Sequence, residues 1–260
     1  MDQPVMASMK KMKRSIAVNG QKLDALNDSR ISVRTRLNIF RNYRRSHYEI
    51  ATLGAVGCSL THINAWKKFL ATDSKMCLVF EDDAIVTESE LNHISELIPT
   101  LPAKWGMWLL GCYRPNLIFE HTEKRPWNRV RAFTASHAYL ITRDTAQKFL
   151  DDALPVETHI DHYMSSISVL KDIHIVQHPA IHIEFFKKER VIDSKTTTID
   201  SNTSQHKKRG CPTCNKPDDN KQLYKSPTRK GDRGIRVKGL IHGAQPKVVL
   251  TLKHGATRRR

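Results

Sequence analysis

At Cys77-Leu78-Val79-Phe80 four apolar residues follow one another without a polar break, and three carboxylates, Glu81-Asp82-Asp83, come directly after them. This stretch constrains the fold more than any other. A strand with one wet face alternates polar and apolar residues, whereas an unbroken short run suits a strand buried on both faces. The flanking patterns are helical. Leu60, Ile63, Trp66, Phe69 and Leu70 recur at helical spacing, with Ser59 or Thr61 in position to cap the start. Thr87 and Glu90 form a capping box ahead of Leu91, Ile94, Leu97 and Ile98.

The same alternation continues down the chain. Trp105 to Leu110 reads as a second buried strand ending at Gly111, and Arg129 to Thr142 as one or two strands. Asp144 is placed to cap a helix that Pro155 closes. Ile160 to Leu170 is amphipathic, and Ile173 to Gln177 is a strand. Ser15 to Val18 makes a short strand turned by Asn19-Gly20. Strands alternating with helices predict an α/β fold with a mostly parallel sheet flanked by helices.

Charge divides the 260 residues into three parts. The formal net charge of +17 is the sum of +7 over residues 1–50, −3 over 51–205 and +13 over 206–260. The whole-chain figure points to a nucleic-acid binder, but the near-neutral middle carries the strand and helix patterns. The expected organisation is a basic segment over 1–14, a domain over 15–193, and a basic, largely disordered tail over 194–260. Residues 194–234 are poor in large apolar side chains. No apolar run reaches the length of a membrane span, and the start lacks the apolar centre of a secretory signal. Five irregularly spaced cysteines make no disulfide framework. A cytoplasmic protein, or one peripheral at a membrane surface, is the expectation.

Three adjacent carboxylates repel one another unless a cation or hydrogen-bond donors compensate. Ligand sites of open α/β sheets lie at the carboxyl ends of strands, and a hard cation such as Mg²⁺ or Mn²⁺ prefers carboxylate oxygens. In an extended segment Glu81 and Asp83 point one way and Asp82 the other. Taken alone, the triplet reads as readily as a solvated turn before Thr87.

The residues around it narrow the choice. Gly57-Cys58-Ser59-Leu60-Thr61-His62-Ile63-Asn64-Ala65-Trp66, then Leu78-Val79-Phe80-Glu81-Asp82-Asp83, then Ser136-His137-Ala138-Tyr139, then Pro155-Val156 through Ile160-Asp161 together resemble glycosyltransferase family 25. That family includes lipooligosaccharide and collagen galactosyltransferases. The likeness runs from about Ala17 to Pro179. It implies a GT-A-like, Rossmann-related fold and transfer of a sugar, commonly galactose, from a UDP-sugar to a glycan or hydroxylysine-type acceptor. By the same resemblance Asp83 and Glu81 are the metal ligands for Mn²⁺ or Mg²⁺. Glu81, Asp82 and His137 bind the sugar nucleotide. Asp161 is the first candidate for the catalytic base of an inverting displacement, and Glu184 the second. Both also read as solvated carboxylates. The sequence departs from the family in three places. Ala55 stands where Glu is common, Thr61 replaces Ser, and the opening strand of the family has no counterpart, which predicts a truncated or degenerate member.

Other residues carry open readings. His62 lies one turn before Trp66, so its ring either packs under the indole or contacts substrate. Cys58 and Cys77 read as buried small hydrophobes. His178 or His182 is a candidate late metal ligand. Cys211-Pro212-Thr213-Cys214 is half of a zinc site. The basic tail, with few aromatics, suits phosphates, anionic lipid surfaces or acidic glycans. The rival to the enzyme reading is a non-catalytic relative that binds nucleic acid or another partner.

Overall fold

The structure is a computed structural model that describes residues 13–121, 126–185 and 247–252. Its strands are β1 (Lys13–Ser15), β2 (Met76–Phe80), β3 (Ala84–Ile85), β4 (Trp105–His121), β5 (Asn128–Thr142), β6 (His174–Gln177), β7 (Glu184–Phe185) and β8 (Lys247–Leu252). Its α-helices are α1 (Val33–Arg41), α2 (Leu53–Leu70), α3 (Glu88–Leu97), α4 (Arg143–Asp151) and α5 (Ile160–Leu170). The central sheet has the order β1-β8-β2-β5-β4-β6, and β3 pairs with β7 apart from it.

The sheet is mixed rather than mostly parallel. Every pairing in it is antiparallel except β4 with β6. The alternation of strands and helices is nevertheless informative. Because β2 and β4 both oppose β5, they run in the same direction, as expected of strands joined through α3. The polypeptide then turns back from β4, and β5 inserts between them. An unbroken apolar run reports that both faces are covered, not which way the neighbouring strand runs.

Both faces are indeed covered. Cys77, Val79, Met107, Leu109, Tyr139 and Ile141 pack against α2, α4 and α5. The alternate residues Leu78, Phe80, Trp108, Leu110, Ala138 and Leu140 pack on the other side with Ile94 of α3 and with Trp127. Strand β5 also bends. Its later residues lie between β2 and β4, whereas Val130 pairs with Ile175, whose other edge meets Met107. Register shifts along β4 and a left-handed Ala135 (φ 58°) mark the bend.

Several boundaries differ from expectation. Helix α2 begins at Leu53, capped by Thr52, whose hydroxyl accepts the Ala55 N–H and which lies seven residues before Ser59. The hydroxyls of Ser59 and Thr61 instead bond back to carbonyls one turn earlier. Strand β4 runs on past Gly111 to His121. The N-cap of α4 is Thr142 rather than Asp144, and the helix ends before Pro155. The first strand is Lys13–Ser15, and Gly20–Lys22 is a 3₁₀ turn. Helix α1 is inverted relative to an amphipathic pattern, with Thr35 and Asn38 buried and Val33, Leu37 and Phe40 exposed. The capping box at Thr87, helix Ile160–Leu170 and the strand over 77–80 stand as read.

Six residues from beyond position 194 join the sheet as β8, between β1 and β2. Residues 194–234, Cys211, Cys214 and most of the basic tail lie outside the described residues. Among the described residues no helix is long and apolar enough to cross a membrane.

Candidate active site

The acidic triplet sits where β2 leaves the sheet. Glu81 adds one more rung to the ladder, its N–H donating to the His137 carbonyl at 2.7 Å, and the chain then turns so that the Ala84 N–H reaches the Glu81 carbonyl. Glu81 therefore keeps the alternation of Cys77 and Val79 and lies on the α2 face. Asp82 and Asp83 fall in the turn and are exposed. Directly after the turn, β3 pairs with β7, so that Glu184 stands opposite Ile85. Fold topology thus brings Glu81, Asp82, Asp83, His137 and Glu184 to one end of the sheet.

Helix α2 supplies the other side. Cys58, His62 and Trp66 recur every four residues and form one stripe facing β2 and β5. His62 is fully buried. Its Nε2 lies 2.9 Å from Glu81 Oε1 and its Nδ1 2.8 Å from the Tyr139 hydroxyl, which also receives the Trp66 indole N–H at 3.0 Å. The imidazole does not lie under the indole. The two rings are 6.4 Å apart and tilted by 46°, whereas His62 is closer to parallel with the Tyr139 ring. Burial holds the Tyr139 hydroxyl well above its ordinary range, so it stays a phenol. The ligand atoms of Cys58, His62 and Glu81 all lie within 4.8 Å of one another, close enough to hold a metal ion. From the sequence, His62 suits packing and substrate contact equally. The four-residue spacing of His62 and Trp66 puts both rings on one face of the helix, and the fold turns that face toward the strand bearing Glu81.

His137 is buried, and its Nε2–H donates to the Ile183 carbonyl at 2.7 Å. With the proton on Nε2, Nδ1 is an acceptor, and it has no hydrogen-bond partner among the described residues. Burial pulls its pKa below the ordinary histidine value, against the pull of nearby Glu81. Gly111 makes this arrangement possible. A Cβ there would overlap His137 Nε2 and lie 2.6 Å from the Ile183 oxygen.

Asp161 is placed differently from the triplet. In the first turn of α5 its Oδ2 accepts the Ala135 N–H and its Oδ1 the His162 N–H, both at 2.8 Å. It therefore fastens α5 to the bend of β5, two residues before His137. His178 packs edge-on against Trp127 and accepts the Ala180 N–H, while His182 is exposed. Cys77 is buried and its thiol pushed up by burial, but Cys58 is only half-buried, beside His62. Thr61 uses its hydroxyl, a group that serine also carries. Its oxygen accepts the Val18 N–H and its proton goes to the Gly57 carbonyl.

Comparison with known proteins bears on this site directly. The family model described as glycosyltransferase family 25 (LPS biosynthesis protein) matches residues 6–164. The match begins upstream of Ala17 and stops short of Pro179, so it includes Asp161 but not Glu184. No curated protein and no solved structure matches the chain. With more than half of its length matched, including the α2 stripe, the acidic turn and His137, the chain belongs to glycosyltransferase family 25 and is a glycosyltransferase.

Proposed function

We propose that the protein transfers galactose from UDP-galactose to a hydroxyl of a glycan or of a hydroxylysine-type side chain, with inversion and with the help of Mn²⁺ or Mg²⁺. The observation that carries this reading is the Glu81-Asp82-Asp83 turn at the end of buried β2, with Glu184 brought across from β7. A turn of carboxylates, two of them exposed, is a hard oxygen donor set, which fits Mg²⁺ or Mn²⁺. Asp83 and Glu81 would hold the ion, and when bound it offsets the charge that develops on the departing diphosphate.

The rest falls to side chains. Asp82 binds the sugar nucleotide alongside Glu81. The His137 Nδ1 lone pair accepts a hydrogen bond from a hydroxyl of the same ligand, satisfying a buried acceptor left open among the described residues. Inversion by single displacement needs one base to take the acceptor hydroxyl proton as that oxygen bonds to the anomeric carbon and the bond to UDP breaks. Glu184 suits this role better than Asp161. Asp161 spends both oxygens on backbone N–H groups, so protonating it would break one of those bonds. Glu184 is exposed beside the acidic turn.

The test is release of UDP from UDP-galactose in Mn²⁺, followed by transfer to candidate acceptors. Wild type should turn over, and Asp83→Asn should lose at least about 100-fold. Glu184→Gln should abolish transfer, while Asp161→Asn should retain it. Absence of any nucleotide binding by folded wild type would sink the proposal.

A further inference from the structure

The hydrogen bonds behind Glu81 determine where each proton lies. An indole N–H can only donate, so the Tyr139 oxygen must accept from Trp66. Tyr139 then has one proton left, and His62 Nδ1 is the other hydrogen-bond partner of that hydroxyl. If His62 carried its proton on Nδ1, two N–H groups would point at the Tyr139 oxygen and its own O–H would have no acceptor among the described residues. Burying an unmatched hydroxyl is costly, and this one lies on a fully buried side chain. The proton order is therefore Trp66 N–H to Tyr139 oxygen, Tyr139 O–H to His62 Nδ1, and His62 Nε2–H to Glu81 Oε1.

We infer that His62 is a positioning residue, locked as the Nε2–H tautomer by Trp66 and Tyr139, which holds the Glu81 carboxylate at the mouth of the site. The inference deepens the donor-site reading of Glu81 and rests on it for its effect on catalysis. It also reinterprets the Cys58, His62 and Glu81 cluster. A ring nitrogen that carries a proton cannot ligate a metal. Binding zinc there would require the His62 proton to move to Nδ1, and that would strand the Tyr139 hydroxyl. The cluster is a hydrogen-bonded clamp on one carboxylate rather than a soft-metal centre.

Nitrogen-15 NMR of the labelled full-length chain reads the tautomer directly, with the His62 signals assigned by their loss in His62→Gln. Wild type should show a bare Nδ1 and a protonated Nε2, unchanged by an equimolar addition of Zn²⁺. Tyr139→Phe removes the donor to Nδ1 and should give a mixture of tautomers. In donor hydrolysis Tyr139→Phe should raise the KM for UDP-galactose about tenfold while leaving kcat within about threefold. His62→Gln, which keeps an N–H donor at the Nε2 position, should retain most activity, whereas His62→Leu should not. Any other wild-type signature, a Zn²⁺-induced change at both His62 nitrogens and Cys58, or equal loss in Gln and Leu variants of equal stability overturns the inference. The NMR result stands even if UDP-galactose proves to be the wrong donor, so the two proposals fail separately.

Discussion

Gly111→Ala should destabilise the protein far more than one added methyl group usually does. The new Cβ would overlap His137 Nε2 and approach the Ile183 oxygen to 2.6 Å. The imidazole could turn aside, but the Ile183 oxygen is backbone and is tied on both sides. Its residue donates its N–H to the Leu110 carbonyl at 2.7 Å and its oxygen accepts from His137 at 2.7 Å. Overpacking of this kind costs about 1–3 kcal/mol, and loosening two buried hydrogen bonds adds about 1 kcal/mol each. A loss of about 3–5 kcal/mol is a large share of the ~5–15 kcal/mol that holds a domain together. Urea unfolding followed by far-ultraviolet circular dichroism would measure it, with the slope against denaturant expected to be unchanged. A double-mutant cycle apportions the cost, since His137→Ala removes the ring and should relieve at least about 1 kcal/mol of the Gly111→Ala penalty. A loss below about 0.5 kcal/mol, or a penalty untouched by removal of His137, would refute the packing argument. It would also undercut the anchoring of Ile183 that brings Glu184 to the acidic turn.

Other outcomes follow from single residues. Ala135 holds a left-handed conformation (φ 58°), so Ala135→Gly should raise stability by up to about 1 kcal/mol; a loss in urea unfolding would contradict the strain. Thr87→Ala removes the hydroxyl that caps α3 and bonds Glu90, and should lower the unfolding midpoint by an amount equivalent to about 1 kcal/mol. Burial, helped by nearby Arg44 and opposed by Asp161, pushes His159 down to about 4 from the ordinary histidine value of about 6.5. Between those values the unfolded chain binds a proton that the native state does not. Stability should therefore fall as pH drops from about 6.5 to 4, by at most about 3 kcal/mol from this group, and not further below. His159→Asn should flatten that part of the stability profile measured at pH 7 and pH 4.5, and an unchanged difference between the two pH values would contradict the assignment.

The legible features were those in which neighbouring residues settle the outcome. The run Cys77 to Phe80 had to be buried whatever covered it, and Thr87 with Glu90 closes its own box within one turn. Helix α1 was not legible because its inward residues, Thr35 and Asn38, are polar and satisfied by carbonyls of distant segments, so its stripe carries no hydrophobic period. The start of α2 was misplaced because Thr52 caps it as well as Ser59 or Thr61 would have, and capping chemistry alone does not choose between them.

The amino-acid sequence by itself determined that Glu81, Asp82 and Asp83 end a buried strand, and that His62 and Trp66 lie one turn apart on one stripe of a helix. Those are matters of spacing along one element. Tertiary structure alone decided that the stripe faces Glu81 and that Tyr139 closes the chain of hydrogen bonds. It decided that β5 enters between β2 and β4, that Glu184 crosses to the acidic turn, and that Asp161 is engaged with the backbone of Ala135. The physical reason is that local pattern sets which faces are buried, whereas the partner of a buried donor or acceptor is chosen by distant chain segments, 77 residues away between His62 and Tyr139 and 121 between Thr35 and Val156.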